Sequence, residues 1–243
     1  MERRRFLGAV GAAAVVAGCL GGSNEKPATS EEGYETISKG GTEVPLVPID
    51  TAYDWFEGES VTFADARSRT AYNSSHVEGA VLSPAPDGQP NNDPLAETPA
   101  DRRIVTYCAC PHSLSSSRAA TLIQNDYEAV YALDEGFREW VDQEYPTAGS
   151  QAQARLGDYR VRGETDPADA GETVWARHRP TGQREPTEIA ADGSYELHLP
   201  FVEVTPDSTV AVETPSYTVD APLSELTSGL VTREGVVDDP QQA

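Results

Sequence analysis

Two thiols stand two residues apart in this chain, Cys108 and Cys110. The residues after them run Pro111-His112-Ser113-Leu114-Ser115-Ser116-Ser117-Arg118-Ala119-Ala120. A cysteine held against a helix N-terminus meets backbone N–H groups and the positive end of the helix dipole. Both favour the thiolate, and the sulfur becomes nucleophilic. Taken alone, a buried cysteine is more often a small, inert packing group. The loop shifts that balance, because serines and a proline do not build a core. The pair adds a second chemistry. In an extended chain, residues two apart point the same way with Cα atoms about 6.5–7 Å apart, the outer edge of disulfide reach. Such a pair can oxidise outside the cytoplasm, with strain. Cys108 therefore reads either as strand-end packing or as a second thiol working with Cys110.

The elements that must position these thiols are a strand before them and a helix after them. Ile104–Tyr107 is a short apolar, β-rich run behind Asp101-Arg102-Arg103. From Ser117 to Asn125 the residues favour helix. Further strands are expected at Leu46–Ile49, Val61–Asp65, around Val81 and at Ala129–Leu133. Short helices are expected through Tyr53–Phe56, from Asp65 to Tyr72, and through Trp140 before Pro146. Strands alternating with helices predict a parallel α/β sheet flanked by helices. Its site lies at the carboxyl ends of the strands, where Cys108 and Cys110 fall.

The chain has 243 residues, enough for one large or two ordinary domains. Its formal net charge is −22, from 40 acidic and 18 basic residues. That excludes nucleic acid as a partner, which needs a basic face. Lys26 and Lys39 are the only lysines. An acidic, lysine-poor surface resembles that of proteins from salt-loving organisms, where a Debye length of ~3 Å makes self-repulsion tolerable. Cys19, Cys108 and Cys110 are the only cysteines, too few for a disulfide scaffold. His76, His112, His178 and His198 lack metal-ligand spacing, so no metal and no other cofactor is expected.

Three stretches, in order, carry a family resemblance. Asp65-Ala66-Arg67-Ser68, Tyr72 and His76-Val77-Glu78-Gly79-Ala80 form the first. Ile104 to Ala120 is the second, and Leu133-Asp134-Glu135-Gly136-Phe137-Arg138-Glu139-Trp140 the third. Together they resemble the rhodanese-like sulfurtransferase domain, over 45–147. The resemblance implies sulfur transfer from a small sulfur-containing anion through a cysteine persulfide. Counting back from Ala119-Ala120 aligns Cys110 with the family's nucleophile; counting forward from the strand aligns Cys108. Loop length favours Cys110, with Ser116 opening the helix. Pro111, His112, Ser113, Leu114, Ser115 and Ser116 then form the substrate-binding loop. Ser115 stands where the family carries an arginine, so anion binding falls to amides and hydroxyls. Asp65, Arg67 and His76 support the loops. The missing arginine also admits a non-catalytic reading, a rhodanese fold used as a binding module. Phosphatases on this fold need an arginine six residues after the cysteine, and neither thiol has one.

The two ends read differently. Residues 1–19 are a targeting segment: Arg3-Arg4-Arg5 precedes an apolar run from Phe6 to Val16. Arg3-Arg4-Arg5-Phe6-Leu7 resembles a twin-arginine export signal, and Val16-Ala17-Gly18-Cys19 a lipoprotein cleavage box. Cys19 would then carry lipid and hold the protein on the extracytoplasmic side of the cell membrane. Residues 20–44 read as a flexible tether and 148–158 as a linker. Over 159–226, strands at Tyr159–Arg162, Glu172–Arg177, Ser194–Leu199 and Thr209–Glu213 alternate with turn signals. They predict a small all-β sandwich. Its Gly171–Val174, Thr181-Gly182 and Asp192–Tyr195 are similar to carboxypeptidase-regulatory-like modules, which implies a spacer or a surface for a protein partner. Residues 227–243 read as an acidic, frayed tail.

Overall fold

A computed structural model describes residues 30, 32–152 and 156–238. The leader with Cys19 and the start of the expected tether lie outside the described residues. Among these, no helix is long and apolar enough to cross a membrane.

Thr36–Lys39 (β1) and Thr42–Val47 (β2) form an antiparallel hairpin across Gly40-Gly41. Both glycines sit at positive φ, 58° and 78°. That is the backbone a two-residue hairpin turn demands. Val44 and Leu46 are buried, which fastens β2 into the sheet. The tether expected over 20–44 is thus corrected for 36–44. The Gly-Gly signal and the alternating Val44 and Leu46 outweigh the polar composition.

Ile49–Glu57 (α1), Thr62–Asp65 (β3), Arg69–Ser74 (α2), His76–Val77 (β4) and Val81–Leu82 (β5) follow. Then come Ile104–Tyr107 (β6), Ser113–Gln124 (α3), Val130–Leu133 (β7), Gly136–Asp142 (α4) and Thr147–Ala148 (β8). The main sheet runs β1-β2-β7-β6-β3-β5, parallel except for β1. Helices cover both faces, as a parallel sheet requires. Val105, Tyr107, Phe137 and Trp140 lie in one core, while Ile104, Ala119, Ala120 and Leu122 lie in another. All four residues of β6 are buried, so it is the central strand that delivers the thiols. At the two ends of the expected linker 148–158, Ala148 pairs with His76 of β4 and Leu156 is buried in the Trp140 core.

The C-terminal part holds Tyr159–Glu164 (β9), Thr173–His178 (β10), Gln183–Glu188 (β11) and Ser194–Leu199 (β12). It continues with Thr209–Glu213 (β13), Thr218–Pro222 (β14), Leu223–Leu226 (α5), Leu230–Thr232 (β15) and Gly235–Val237 (β16). Two four-stranded sheets, β11-β10-β13-β14 and β12-β9-β15-β16, enclose one apolar core. The tail expected from 227 instead supplies β15, where Val231 is fully buried and pairs parallel with β9. The two parts of the chain meet at Trp175, which packs on Ala66, Ala85, Cys108 and Leu114.

Candidate active site

The helix after the thiols opens at Ser113, four residues before the expected Ser117. Serine is tolerated in a first turn when its hydroxyl bonds back to the chain. Ser116 does so, its Oγ donating to the His112 carbonyl. Leu114 and Arg118, one turn apart, are both buried and anchor that turn. The loop is therefore short, Cys108 to His112, and closes through His112 at φ 69°. The loop-length reason for favouring Cys110 assumed that Ser116 opens the helix, and it does not hold.

Cys108 directly follows β6 beneath this first turn and has no exposed surface. Its Sγ lies 3.4 Å from Ser115 Oγ and 3.8 Å from Ser113 Oγ. The Ser115 amide is also directed at the sulfur. Of the donors expected around Cys110, one amide, that of Ser115, and the Ser113 and Ser115 hydroxyls are directed at Cys108 instead. In the resting geometry the thiol donates to the Cys110 carbonyl, Sγ to O 2.8 Å. Burial pushes the Cys108 thiol up, helped by the charge of Glu185 and opposed by the Ser115 and Ser113 hydrogen bonds. Desolvation wins over three weak donors, as expected for a fully buried thiol.

Cys110 is half-buried and faces a cleft of about 460 Å³ between the two parts of the chain. Pro111, Ser113, Arg138, Glu185 and His198 are among its walls. The Cys110 thiol is pushed up to about 12, first by burial, then by Glu185 and Cys108; Arg138 opposes this with its charge and a hydrogen bond. The two cysteines are free thiols, not a disulfide.

The other expected loop residues divide. His112 turns to Asp134, Nε2 to Oδ1 2.7 Å. Leu114 packs beside Cys108 in a small apolar cluster. Ser115 is buried and its carbonyl accepts from Thr106 Oγ1 at 2.9 Å. Asp65 and Arg67 form a buried pair, Nη2 to Oδ2 2.6 Å, and Arg67 also donates to the Ser75 carbonyl at 2.7 Å. The Arg67 guanidinium lies 4.3 Å above the Phe137 ring, tying β3 to α4. His76 contacts the Tyr72 carbonyl at 2.7 Å and stacks on that ring at 3.9 Å. Arg118 reaches Ser83 at 2.8 Å and Asp93 at 3.5 Å, away from the thiols. Glu135 accepts from the Ile49 amide at 2.9 Å and so serves the N-terminus of α1.

Two site residues escape sequence reasoning. Arg138 sits inside the Gly136–Trp140 motif, with nothing local to mark it as the thiol's cation. Glu185 comes from β11, whose Gln183-Arg184-Glu185-Pro186-Thr187-Glu188 has no apolar alternation. It is nonetheless buried, 5% exposed, with Oε2 accepting from Ser113 Oγ at 3.5 Å. Burial pushes its carboxyl up to about 8, against the opposing charges of Arg67 and Arg184. Among the described residues, no group of three or more His, Cys, Asp or Glu is placed to hold a metal.

A family model described as Rhodanese-like domain matches residues 49–143. Among solved structures, the rhodanese-like domain of an Anabaena protein aligns at 27% identity and TM-score 0.38, over 47% of this chain and 89% of that one. An HTH-type transcriptional regulator of Mycobacterium tuberculosis is 32% identical over 84 residues; the match spans 35% of this chain and 36% of that protein. The thiosulfate sulfurtransferase GlpE of Shewanella oneidensis is 34% identical over 89 residues, 35% of this chain and 79% of that protein. With 79% of that relative covered at 34% identity, the chain belongs to the rhodanese-like domain family.

Proposed function

We propose that this protein is a sulfurtransferase that carries sulfane sulfur as a persulfide on Cys108, with Cys110 as the second thiol at the cleft. The observation that carries the reading is the position of the Cys108 sulfur under the first turn of α3. There the Ser115 amide and the Ser113 and Ser115 hydroxyls can share the negative charge of a persulfide. The Cys108 sulfur, once deprotonated, bonds to the outer sulfur of a donor such as thiosulfate. The bond between that sulfur and the rest of the donor breaks, and its electron pair leaves as sulfite. A second nucleophile then takes the outer sulfur and restores the thiolate. The geometry described is the resting one, with the thiol protonated and covered. Turnover requires the Cys110 carbonyl to move off the Cys108 sulfur.

The same proposal places the protein on the extracytoplasmic face of the membrane, held by lipid on Cys19. Its support is the order of the leader: three arginines, a short apolar run, then Val16-Ala17-Gly18-Cys19. The C-terminal sheets then serve as a surface for a protein partner, as their resemblance to carboxypeptidase-regulatory-like modules implies. One observation favours the non-catalytic reading: Cys108 has no exposed surface and both thiols are pushed up.

One fractionated assay tests both parts. Thiosulfate-to-cyanide transfer is measured at high salt on membrane and soluble fractions of the full chain. Activity is expected in the membrane fraction, and Cys19→Ser moves it to the soluble one. Cys108→Ser loses transfer and no longer gains the mass of one sulfur atom; Cys110→Ser retains that mass gain. Sulfur gained on Cys110 alone reassigns the carrier. No transfer from any sulfane donor leaves the binding-module reading.

A further inference from the structure

A second cleft, of about 340 Å³, lies where Arg67 and the Pro84-Ala85 turn face β10 and β11. Its polar lining includes Arg67, Arg177, His178, Arg179, Gln183 and Arg184, with no aspartate or glutamate. In a chain with 40 acidic and 18 basic residues, that is a local inversion of charge. The register of the two strands sharpens it. Arg177 and Arg184 are directly opposite each other in the antiparallel β10–β11 pair. Like charges in that position destabilise a sheet. Both guanidinium groups lie over the Trp175 ring, 4.6 and 5.2 Å from its centroid.

The carboxylates nearby do not account for all of this charge. Arg67 is locked to Asp65 at 2.6 Å, and Arg177 reaches Glu213 at 2.8 Å. Arg179 lies 3.5 Å from Glu213 and 3.4 Å from Asp220. None of these acids lines the cleft. Asp87 is exposed and also outside the lining, and Glu185 lines the thiol cleft instead. Among the described residues, Arg184 has no carboxylate within ion-pair distance. Its hydrogen bond goes to the Ala85 carbonyl.

We propose that this cleft binds a tetrahedral oxyanion between Arg184 and Arg177, with Trp175 as the platform beneath them. Guanidinium forks match the paired oxygens of sulfate or phosphate, whereas a halide offers no such pair. The site belongs mainly to the C-terminal sheets. Its floor includes Ala66, Ala85 and Leu114, the residues that also cover Cys108. An anion held there sits one layer of side chains from the thiol.

The test is a calorimetric titration of the full chain with sulfate, phosphate and thiosulfate, at constant ionic strength set by chloride. Saturable binding of at least one is expected. It should weaken about tenfold or more in Arg184→Gln and Arg177→Gln, each checked for native circular dichroism. Arg233→Gln, which removes the same charge from an exposed turn, should bind as the parent does. Cys108→Ser should bind sulfate unchanged, because sulfate has no sulfur to transfer; this separates the site from the sulfurtransferase reading. Absence of saturable binding by the intact protein, or equal binding by Arg184→Gln, overturns the proposal.

Discussion

Glu185 is a buried carboxyl in a strand with no apolar pattern, and it touches the thiol site through Ser113. Its folded pKa is pushed up to about 8, from an ordinary 4.5. A carboxyl raised in this way favours the fold fully below its unfolded value. That contribution is lost as pH rises through its folded value. The window is therefore about pH 4.5 to 8, and the loss across it is on the order of a few kcal/mol. The urea midpoint of the parent should fall between about pH 5 and pH 9, and that of Glu185→Gln should fall less. The same change removes a charge that raises both thiols. Alkylation of Cys110 by iodoacetamide at about pH 9 should then run about three- to tenfold faster in Glu185→Gln. Equal slopes and equal rates would mean that Glu185 titrates as an ordinary surface carboxyl.

At the scale of elements, the cysteine loop is held from behind by the start of α4. The Phe137 amide donates to the Cys108 carbonyl at 2.8 Å, and the Arg138 amide to the Ala109 carbonyl at 3.2 Å. This approach needs Gly136, at φ 78°, where an added Cβ would meet the Cys108 and Ala109 carbonyl oxygens at 3.2 Å. Gly41 has the same φ of 78° with nothing within 4 Å of its would-be Cβ. Comparing the two separates backbone strain from contact. Gly41→Ala should cost about 1 kcal/mol of stability and leave sulfur transfer unchanged. Gly136→Ala should cost about 1–3 kcal/mol and reduce transfer as well, because the loop carbonyls must shift. Equal effects on transfer would remove α4 from the support of the loop.

The same scale explains what could be read from residues alone. β6, β7, β12 and β13 announce themselves because each is a compact run with its own apolar signal. α3 is expected too late, since serine propensity does not reveal that Ser116 bonds to His112 and that Leu114 finds a pocket. β15 looks like tail because it is only three residues long and the strand that joins it to the sheet, β9, is remote in sequence. β11 is polar along its length, so neither its existence nor the arrival of Glu185 at the thiols is visible locally. The cysteines could be found from their loop; which one the Ser113 and Ser115 donors face depended on where a helix began.

At the scale of the whole molecule, one excess governs the conditions under which all of this holds. Forty acidic residues against 18 basic ones leave −22 to be spread over a single chain. Salt acts on this in two opposed ways. It weakens exposed ion pairs such as Arg160–Glu196, 3.6 Å apart, each worth about 0–1 kcal/mol. It also screens the repulsion among the unpaired acids, which every exposed carboxylate feels. The Debye length falls from ~10 Å at about 0.1 M to ~3 Å at about 1 M, so repulsion between neighbouring acids is largely removed. The buried Asp65–Arg67 pair, 0% and 4% exposed, is shielded from this change. Repulsion outnumbers the exposed pairs, so the net effect should be stabilising. The urea midpoint is expected to rise from about 0.1 M to about 1 M potassium chloride and then level off. Sulfur transfer should rise with it, because the thiol cleft is walled by both parts of the chain and loses its shape when they are pushed apart. A midpoint that falls with salt would mean that surface ion pairs, not excess charge, set the stability of this protein.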